Sequence, residues 1–152
     1  MAKGSNIIVS NAPRGTYWEG VLTGALLPGT IVQIKVSAGL DDDGNPSFEA
    51  YNAALDGDRR PLFVLLPDIY QGRDELTAYT TGTRCRVYMP LAGDQLNVVS
   101  DAALTFGDLL IVDDGTGKVL ATTGTPESEP FQALKTVGAV ANQLVHVLVT
   151  GF

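Results

Sequence analysis

The chain has little of the chemistry on which enzymes and metal sites depend, since its 152 residues include one cysteine and one histidine. A single cysteine, Cys85, excludes an internal disulfide and a cysteine-based zinc site. Its position in a strand-like run predicts a small, buried hydrophobic side chain. The histidine, His146, lies between two valines of an apolar run, where we expect a packing or solvent-facing role rather than a general base. No Gly-x-Ser-x-Gly motif supplies a nucleophile.

Runs of basic residues and long apolar runs are also missing. Ten Lys and Arg against 17 Asp and Glu give a net charge of -7, with the acidic residues spread over the whole chain. Because there is no basic stripe, we expect neither nucleic acid nor an anionic membrane surface as a partner. No apolar run reaches the length of a membrane span, and the first ten residues are too polar for a signal peptide. We therefore expect synthesis in a reducing cytoplasm.

Three segments superficially match ligand-binding motifs and fail at required positions. An EF-hand loop begun at Asp41 would have Pro46 and Asn52 where glycine and glutamate are needed. The segment Gly115–Lys118 resembles the end of a phosphate loop, but positions 112 and 119 are both valine. Asp114-Gly115-Thr116 has the wrong order for the triplet of aspartic proteases. The sequence therefore predicts a protein that is not an enzyme and that has no cofactor and no metal site.

Glycine and proline, with 17 and 8 residues, separate many short apolar segments. Val32, Ile34 and Val36 alternate with polar residues, which predicts a strand with one buried face. Leu62–Leu66 is a continuous apolar run between prolines, which predicts a core strand covered on both faces. Phe131–Val137 fits a helix or a strand equally. In total, about nine or ten short strands predict an all-β fold, a compact β-sandwich or β-barrel-like domain of the β-tulip or jelly-roll type.

A turn-into-strand segment recurs along the chain. Its clearest copy is Ala103–Val119, with a predicted turn at Phe106-Gly107-Asp108, a strand from Leu109 and a hairpin turn at Asp113–Gly117. Related copies begin at Ala25 and Ala78, and each continues through glycine and Thr or Asp into an apolar run. Glycine and Asp favour the left-handed or turn conformations that such a connection needs. The recurrence predicts a structural device rather than a ligand site.

Residues 1–19 differ from the remainder, and we expect them to form an N-terminal arm or edge strand beside an all-β domain at residues 20–152. The segment holds the apolar run Ile7, Ile8 and Val9 and the aromatic pair Tyr17 and Trp18. One interpretation is an edge strand tucked onto the domain. The other is an extended arm that adds as a strand to a neighbouring molecule. We expect these five side chains to contribute to a contact with another molecule.

Several ordered segments together resemble a known family. They are Gly20-Val21, Ala25-Leu26-Leu27-Pro28-Gly29, Pro61-Leu62-Phe63-Val64, Ala78-Tyr79-Thr80-Thr81-Gly82, Pro90-Leu91-Ala92-Gly93-Asp94, Ala103–Leu110 and Gly117-Lys118-Val119. In order and spacing they resemble the small capsid decoration, or cement, proteins of tailed bacteriophages, over most of the chain from Gly20 onward. The long region from Asp41 to Asp58 departs from the family.

The resemblance implies a non-enzymatic structural protein on the outer surface of a viral icosahedral capsid. Its implied partners are the major capsid protein, whose subunit contacts it would stabilise, and further copies of itself in a homotrimer. Closed cyclic symmetry lets one design contact three equivalent sites, and linked weak contacts raise the overall affinity.

Two other functions are compatible with an all-β chain. The first is a carbohydrate- or host-surface-binding β-domain of a phage structural protein, for which Tyr70, Tyr79 and Tyr88 are candidate aromatic contacts. The second is a small trimeric hydrolase of the nucleotide-processing type. That enzyme would need a phosphate-gripping motif and a water-activating aspartate in one loop, and the sequence contains neither.

Overall fold

The computed structural model describes residues 7–9, 13, 15–52, 61–68, 77–122 and 130–151. These residues form ten β-strands and one short 3-10 turn, Val36–Ala38. The strands are β1 (Thr16–Leu22), β2 (Ile31–Ile34), β3 (Ser47–Ala50), β4 (Phe63–Leu65), β5 (Arg84–Met89), β6 (Gln95–Ser100), β7 (Leu109–Val112), β8 (Val119–Ala121), β9 (Phe131–Ala133) and β10 (Gln143–Val149). The predicted all-β fold is confirmed.

The first five strands close into a barrel in the order β1-β3-β2-β4-β5. β1 pairs in parallel with β3 over Val21 and Leu22 only, and every other pair in the barrel is antiparallel. The ladder that closes the barrel is long, because β1 pairs with β5 from Thr16 to Val21. One side of β1 is therefore paired along its length, whereas the other is paired only at its carboxyl end.

The last five strands form a second, fully antiparallel sheet in the order β6-β10-β9-β7-β8. Its two outer strands approach each other, because the Ser100 hydroxyl at the end of β6 donates a 2.7 Å hydrogen bond to the Val119 carbonyl in β8. If β6 and β8 are taken as neighbours, the order around the second sheet is β6-β8-β7-β9-β10. This is the order of the barrel, β1-β3-β2-β4-β5, with five added to each strand number. Each strand of the second sheet thus has a counterpart in the first, five strands earlier in the chain.

The barrel contributes to two hydrophobic clusters. Phe63 and Leu65 of β4 point into the barrel, where they pack with Leu22, Val32, Phe48, Tyr79, Cys85 and Val87. Val64 points the other way and packs with residues of the second sheet such as Leu96 and Val147. Successive side chains of a strand alternate between its faces, so a strand between two cores is apolar throughout. This confirms the interpretation of the run Leu62–Leu66 as a strand covered on both faces.

The recurring turn-into-strand segment contains a four-residue turn whose third residue is glycine at positive φ. The turns are Leu27-Pro28-Gly29-Thr30, Thr80-Thr81-Gly82-Thr83, Leu91-Ala92-Gly93-Asp94 and Thr105-Phe106-Gly107-Asp108, and they lead into β2, β5, β6 and β7. In each turn the fourth backbone N–H donates to the first carbonyl at 3.0–3.2 Å. A turn of this geometry needs positive φ at its third position, which only glycine adopts without steric cost.

Two glycines allow the barrel and the second sheet to approach each other closely. The Gly29 carbonyl accepts a hydrogen bond from the Val99 N–H of β6, and the Gly117 carbonyl accepts one from the Ile31 N–H of β2. A side chain at Gly29 would lie 2.8 Å from a methyl group of Leu144. A side chain at Gly117 would collide with the backbone carbonyl of Ile31. These contacts hold the two sheets together through main-chain atoms.

Three further details of the structure bear on the sequence expectations. Val36 was expected to extend the alternating strand, but β2 ends at Ile34 and Val36 lies exposed in the 3-10 turn. The ambiguous segment that starts at Phe131 forms β9 over its first three residues. The expected boundary between residues 19 and 20 falls inside β1, which belongs to the barrel. No helix among the described residues is long and apolar enough to cross a membrane.

Candidate interaction surface

The five residues predicted to make intermolecular contacts lie in two separate places. Ile7, Ile8 and Val9 lie along β6 of the second sheet, where Ile8 pairs with Leu96 in an antiparallel bridge. The other two are neighbours near the start of β1 in the barrel. The structure therefore does not combine the five side chains into one patch.

The segment Ile7–Val9 extends the second sheet by one short strand. The Val9 N–H donates to the Gln95 carbonyl at 2.9 Å, and the Asn97 N–H donates to the Ile7 carbonyl at 2.7 Å. The Ile7 side chain is fully buried in the cluster between the two sheets, whereas Val9 is 37% exposed. In this structure Ile7 contributes to its own domain, and of the three residues Val9 presents the most apolar surface to solvent. The expected contact with another molecule stays a prediction.

Tyr17 and Trp18 are the exposed aromatic residues of β1, at 53% and 42%. They point to opposite faces because they are consecutive in a strand. The Trp18 ring packs edge-on against Phe63, with 5.7 Å between centroids, and its Nε1 donates a hydrogen bond to the Thr16 hydroxyl. The Tyr17 ring packs against Tyr88 at 5.2 Å. Both rings are thus held in place on one side and open on the other.

Charged side chains surround Tyr17. The Arg86 guanidinium of β5 lies over the Tyr17 ring, 5.4 Å from its centroid. Next to it, Arg84 and Glu19 approach to 3.9 Å as an exposed ion pair. Such exposed pairs contribute little to stability because water screens them. Their effect is to present an aromatic ring, two guanidinium groups and one carboxylate on the same outer face of the barrel.

A buried polar network lies beneath this face. The Tyr88 hydroxyl donates to Oδ2 of Asp94 at 2.7 Å and accepts from the Gly15 N–H at the same distance. The Leu91 N–H donates to the same carboxylate oxygen at 3.0 Å. Burial first, and then the hydrogen bond to Asp94, raise the pKa of Tyr88 above its usual range. The network fixes the start of β1 against the turn that connects the two sheets.

The segments that resemble ligand motifs form ordinary turns. Oδ1 of Asp41 accepts hydrogen bonds from the backbone N–H groups of Asp43 and Asn45, and the bond from Asn45 lowers the pKa of Asp41. The segment from Asp113 to Gly117 connects β7 to β8, with the Thr116 hydroxyl bound to Asp113. The carboxylates of Asp41 and Asp113 thus accept hydrogen bonds from residues of their own loops.

Other titratable side chains have structural partners. His146 forms a 3.0 Å hydrogen bond with Gln95 on the neighbouring strand. Lys118 and the backbone N–H of Asn142 both bind Asp101, and these bonds lower its pKa. The Cys85 thiol is buried in the barrel, as predicted. Among the described residues, no group of three or more His, Cys, Asp or Glu is placed to hold a metal ion.

A cleft of about 360 Å³ lies beside the β7–β8 hairpin. It is lined by Tyr51, Leu62, Ile111, Val112, Asp113, Asp114 and Pro130. Of these, the Asp113 carboxylate accepts a 2.8 Å hydrogen bond from the hydroxyl of Thr116. Among the described residues of this lining, no histidine, cysteine or basic group is placed to complete an acid–base pair or bind a phosphate.

Of the three tyrosines proposed for carbohydrate recognition, the two that the structure describes are not on the surface. Tyr79 and Tyr88 are both buried, and the Tyr79 hydroxyl donates a 2.8 Å hydrogen bond to the Leu66 carbonyl. Tyr70 lies outside the described residues. The described part of the chain therefore does not form the predicted aromatic platform from these tyrosines. The exposed rings of the barrel are instead Tyr17 and Trp18.

The chain was compared with protein families, curated proteins and solved structures. No protein-family model and no curated protein matches the chain. Among solved structures, the chain is similar to the head fiber gp8.5 N base of bacteriophage phi29, with a TM-score of 0.56 and 16% sequence identity. The match covers 90% of this chain and 95% of that chain. At this identity the similarity establishes a shared fold over nearly the full length of both chains.

Proposed function

We propose that the protein is a non-enzymatic structural component of a bacteriophage virion, attached to the outer surface of the capsid. The observation that carries the proposal is the similarity in fold, over nearly the whole of both chains, to a base domain described as part of a phage head fiber. The proposed partner is the major capsid protein, whose subunit contacts the domain stabilises after synthesis in the host cytoplasm. The sequence resemblance to capsid decoration proteins supports the same role independently.

The exposed face of the barrel has the residue types that carry most binding energy in protein interfaces. Tyr, Trp and Arg are the residues most enriched among those that dominate binding energy. Tyr and Trp bury large areas with few rotatable bonds, and Arg offers a planar group with several hydrogen-bond donors. Here Tyr17 and Arg86 are in contact on the outer face of β1 and β5, and Trp18 is exposed on the opposite face of β1. The rings of Tyr17 and Trp18 pack against the buried rings of Tyr88 and Phe63. We therefore propose that, of the predicted contact set, the exposed residues Val9, Tyr17 and Trp18 meet another molecule, with Arg86 beside Tyr17.

We also propose that the protein is a homotrimer on the capsid. Three linked copies would contact three equivalent capsid sites, and their combined affinity would exceed that of one site by orders of magnitude. The net charge of -7 supports the same function, because it makes free or decorated particles repel one another.

Co-sedimentation with empty capsids assembled from the major capsid protein of the same phage tests this proposal. We expect the purified protein to pellet with capsids and Trp18→Ala to weaken binding at least about tenfold, as for an interface hot spot. Phe106→Ala is the matched control, because Phe106 is an exposed aromatic residue in the turn before β7 and not on β1. Light scattering should give the mass of a trimer. A monomer that stays in the supernatant would refute the proposal.

Point substitutions are preferable to truncation in this test. A deletion that removes Ile7 takes a fully buried side chain out of the core between the sheets. Loss of a buried isoleucine destabilises a domain by about 2–5 kcal/mol, so weaker capsid binding could result from unfolding. Substitutions at Val9, Tyr17 and Trp18 alter exposed surface and leave that core intact.

A further inference from the structure

The barrel and the second sheet repeat one five-strand pattern residue by residue. Three ladder pairs lead from β1 to β2 by way of β5 and β4 in the barrel, namely Gly20–Cys85, Leu65–Val87 and Val32–Phe63. The pairs at the same places in the second sheet are Val98–Val145, Ala133–Val147 and Leu110–Phe131. The spacing along each strand is the same in both series, and Gly20 lies as far from Val32 in the chain as Val98 lies from Leu110. The registers therefore give each of these barrel residues a counterpart in the second sheet.

One row of side chains on the barrel faces the second sheet. Ile31, Val64 and Tyr88 are paired neighbours on β2, β4 and β5. All three are fully buried in the cluster that the barrel shares with the second sheet. On this side the barrel is therefore covered by another five-strand unit of its own kind.

The corresponding row on the second sheet consists of Leu109, Gln132 and Leu148, which are paired neighbours on β7, β9 and β10. This row points away from the core between the sheets, because the next residues along the strands point into that core; they are Leu110, Phe131 and Val147. By the same alternation, the paired residues Ile111 and Leu120 lie on the row's side of the sheet. These two residues and the row form the outer face of the second sheet, and each of the five is half-buried.

The strands that carry this outer face have no charged residues. The described strands β6 to β10 contain no Asp, Glu, Lys or Arg, whereas the barrel strands carry Glu19, Glu49, Arg84 and Arg86. An antiparallel sheet with one face in water usually alternates apolar and polar residues. Leucine and isoleucine at four of the five positions of the outer face are instead typical of a sheet that is covered on both sides.

We propose that the outer face of the second sheet is the contact between one copy of this chain and the next in the homotrimer. The inference rests on the proposed function and names the subunit contact that the homotrimer needs. Two observations favour a second copy as the occupant. The counterpart row on the barrel is covered by a unit of the same kind. In addition, copies that each have a net charge of -7 repel one another least where the contact surface has no charge.

A closed ring of three copies is compatible with this assignment. Its contacts are heterologous, so the outer face of one copy meets a different surface of the next. The inner face of the second sheet is not needed for this contact, since barrel residues such as Val64 already fill it. Tyr17 and Trp18 lie on β1 of the barrel, so the contact proposed for them can form at the same time.

Gln132→Glu tests the subunit contact with little change of side-chain shape. Gln132 lies between Leu109 and Leu148 on the outer face, and a glutamate there would bury an unpaired charge between two copies. We expect the protein concentration needed for half-assembly, measured by analytical ultracentrifugation, to rise at least about tenfold. Val140→Glu is the matched control, because it adds the same charge at an exposed residue outside the strands and should leave assembly unchanged.

Thiol protection gives a second readout that adds no charge. Cys85 is the only cysteine of the chain and is buried, so the thiol introduced by Gln132→Cys reports on the outer face. We expect its modification to slow at least about tenfold as the protein concentration rises and a second copy covers it. The thiol introduced by Val140→Cys should react at the same rate at every concentration. Circular dichroism identifies any variant that fails to fold, and the two variants of Gln132 are independent tests.

The outcomes separate this contact from the proposed function. A natural chain that stays monomeric at every concentration refutes the homotrimer and this contact with it, and pelleting with capsids then decides the capsid role separately. A trimer that Gln132→Glu does not weaken, with a thiol at position 132 that stays reactive, refutes this face and leaves the proposed function standing. Protection of that thiol only after capsids are added identifies the capsid as the occupant, and this also overturns the inference.

Discussion

The hydroxyl of Tyr88 donates a 2.7 Å hydrogen bond to the carboxylate of Asp94, and both residues are buried. Tyr88 lies on the last strand of the barrel and Asp94 ends the turn that leads into the second sheet. The same hydroxyl accepts the Gly15 N–H, so one buried oxygen connects the start of β1, the end of β5 and the junction between the sheets. Buried polar groups of this kind are costly to leave unpaired.

Tyr88→Phe should therefore lower the free energy of unfolding by about 2 kcal/mol, the usual contribution of a buried hydrogen bond to a charged group. The substitution removes one donor from Asp94 and the acceptor of the Gly15 N–H, while the ring remains. Urea denaturation measures the change. Tyr17→Phe is the control, because Tyr17 is exposed, and its effect should stay within about 0.5 kcal/mol. Equal effects of the two substitutions would contradict the role of the network.

Stability should decline in alkaline solution because of buried tyrosines. Burial is the main cause that raises the pKa values of Tyr79 and Tyr88. The folded state therefore holds these protons more tightly than the unfolded state, in which tyrosine titrates near pH 10. Their contribution is complete below about pH 10 and falls above it, by at most about 1.4 kcal/mol per pH unit for each group.

Urea midpoints between pH 8 and pH 11.5 measure this decline. Tyr88→Phe should show a shallower decline above pH 10 than the natural chain, since it lacks one of the two groups. Parallel curves for the two proteins would show that Tyr88 does not carry the pH dependence.

The Cys85 thiol should be unreactive while the domain is folded. Burial in the barrel raises its pKa to about 12, which lowers the thiolate fraction about 1,000-fold relative to a thiol with a pKa near 9. A thiol-specific chromogenic reagent at pH 8 should modify the native protein at least that much more slowly than the unfolded protein. As the control, one equivalent of thiol per chain should react with the reagent in denaturant. Rapid modification in buffer alone would mean that the barrel opens at β5.

Substitution of Gly117 should destabilise the junction between the sheets far more than substitution of Gly115. Both glycines have positive φ, at 67° and 85°. An added methyl group at Gly117 meets the Ile31 carbonyl, whereas at Gly115 it meets nothing within 4 Å. We expect Gly115→Ala to cost about 1–2 kcal/mol from backbone strain alone. Gly117→Ala should cost at least about 2 kcal/mol more, because the steric contact is added to the strain.

Thermal or urea unfolding of the two alanine variants measures the difference. Because the backbone strain is common to both, their difference isolates the contact between Gly117 and Ile31. Two variants of equal stability would show that the sheets are not held together at this point.

Local sequence signals identified several elements because their causes are local. The run Leu62–Leu66 is apolar at every position, and such a strand needs cover on both faces. The glycine turns are visible because positive φ excludes most other residues. The turn before β7 and the hairpin after it were both predicted at the right residues. Val36 was misassigned because the alternation continues in sequence after the strand has ended.

The candidate site was predictable only in part. Exposed aromatic residues near the start of β1 are visible in the sequence as Tyr17 and Trp18. The burial of Ile7 could not be predicted from the sequence, because an apolar tripeptide fits a core strand and an exposed arm equally well. The equivalence of β1 and β6 also depends on strand order, and strand order depends on contacts between residues that are distant in the chain.

The sequence by itself determined that the chain is all-β, that glycine turns precede several of its strands and that its single cysteine is buried. These properties depend on backbone geometry and side-chain polarity within a few residues. Only the tertiary structure decided that the strands form two sheets of one order, and that Ile7–Val9 covers β6 while Thr16–Glu19 stays exposed. Strand pairing is chosen by the burial and hydrogen bonding of the whole domain, which no single segment specifies.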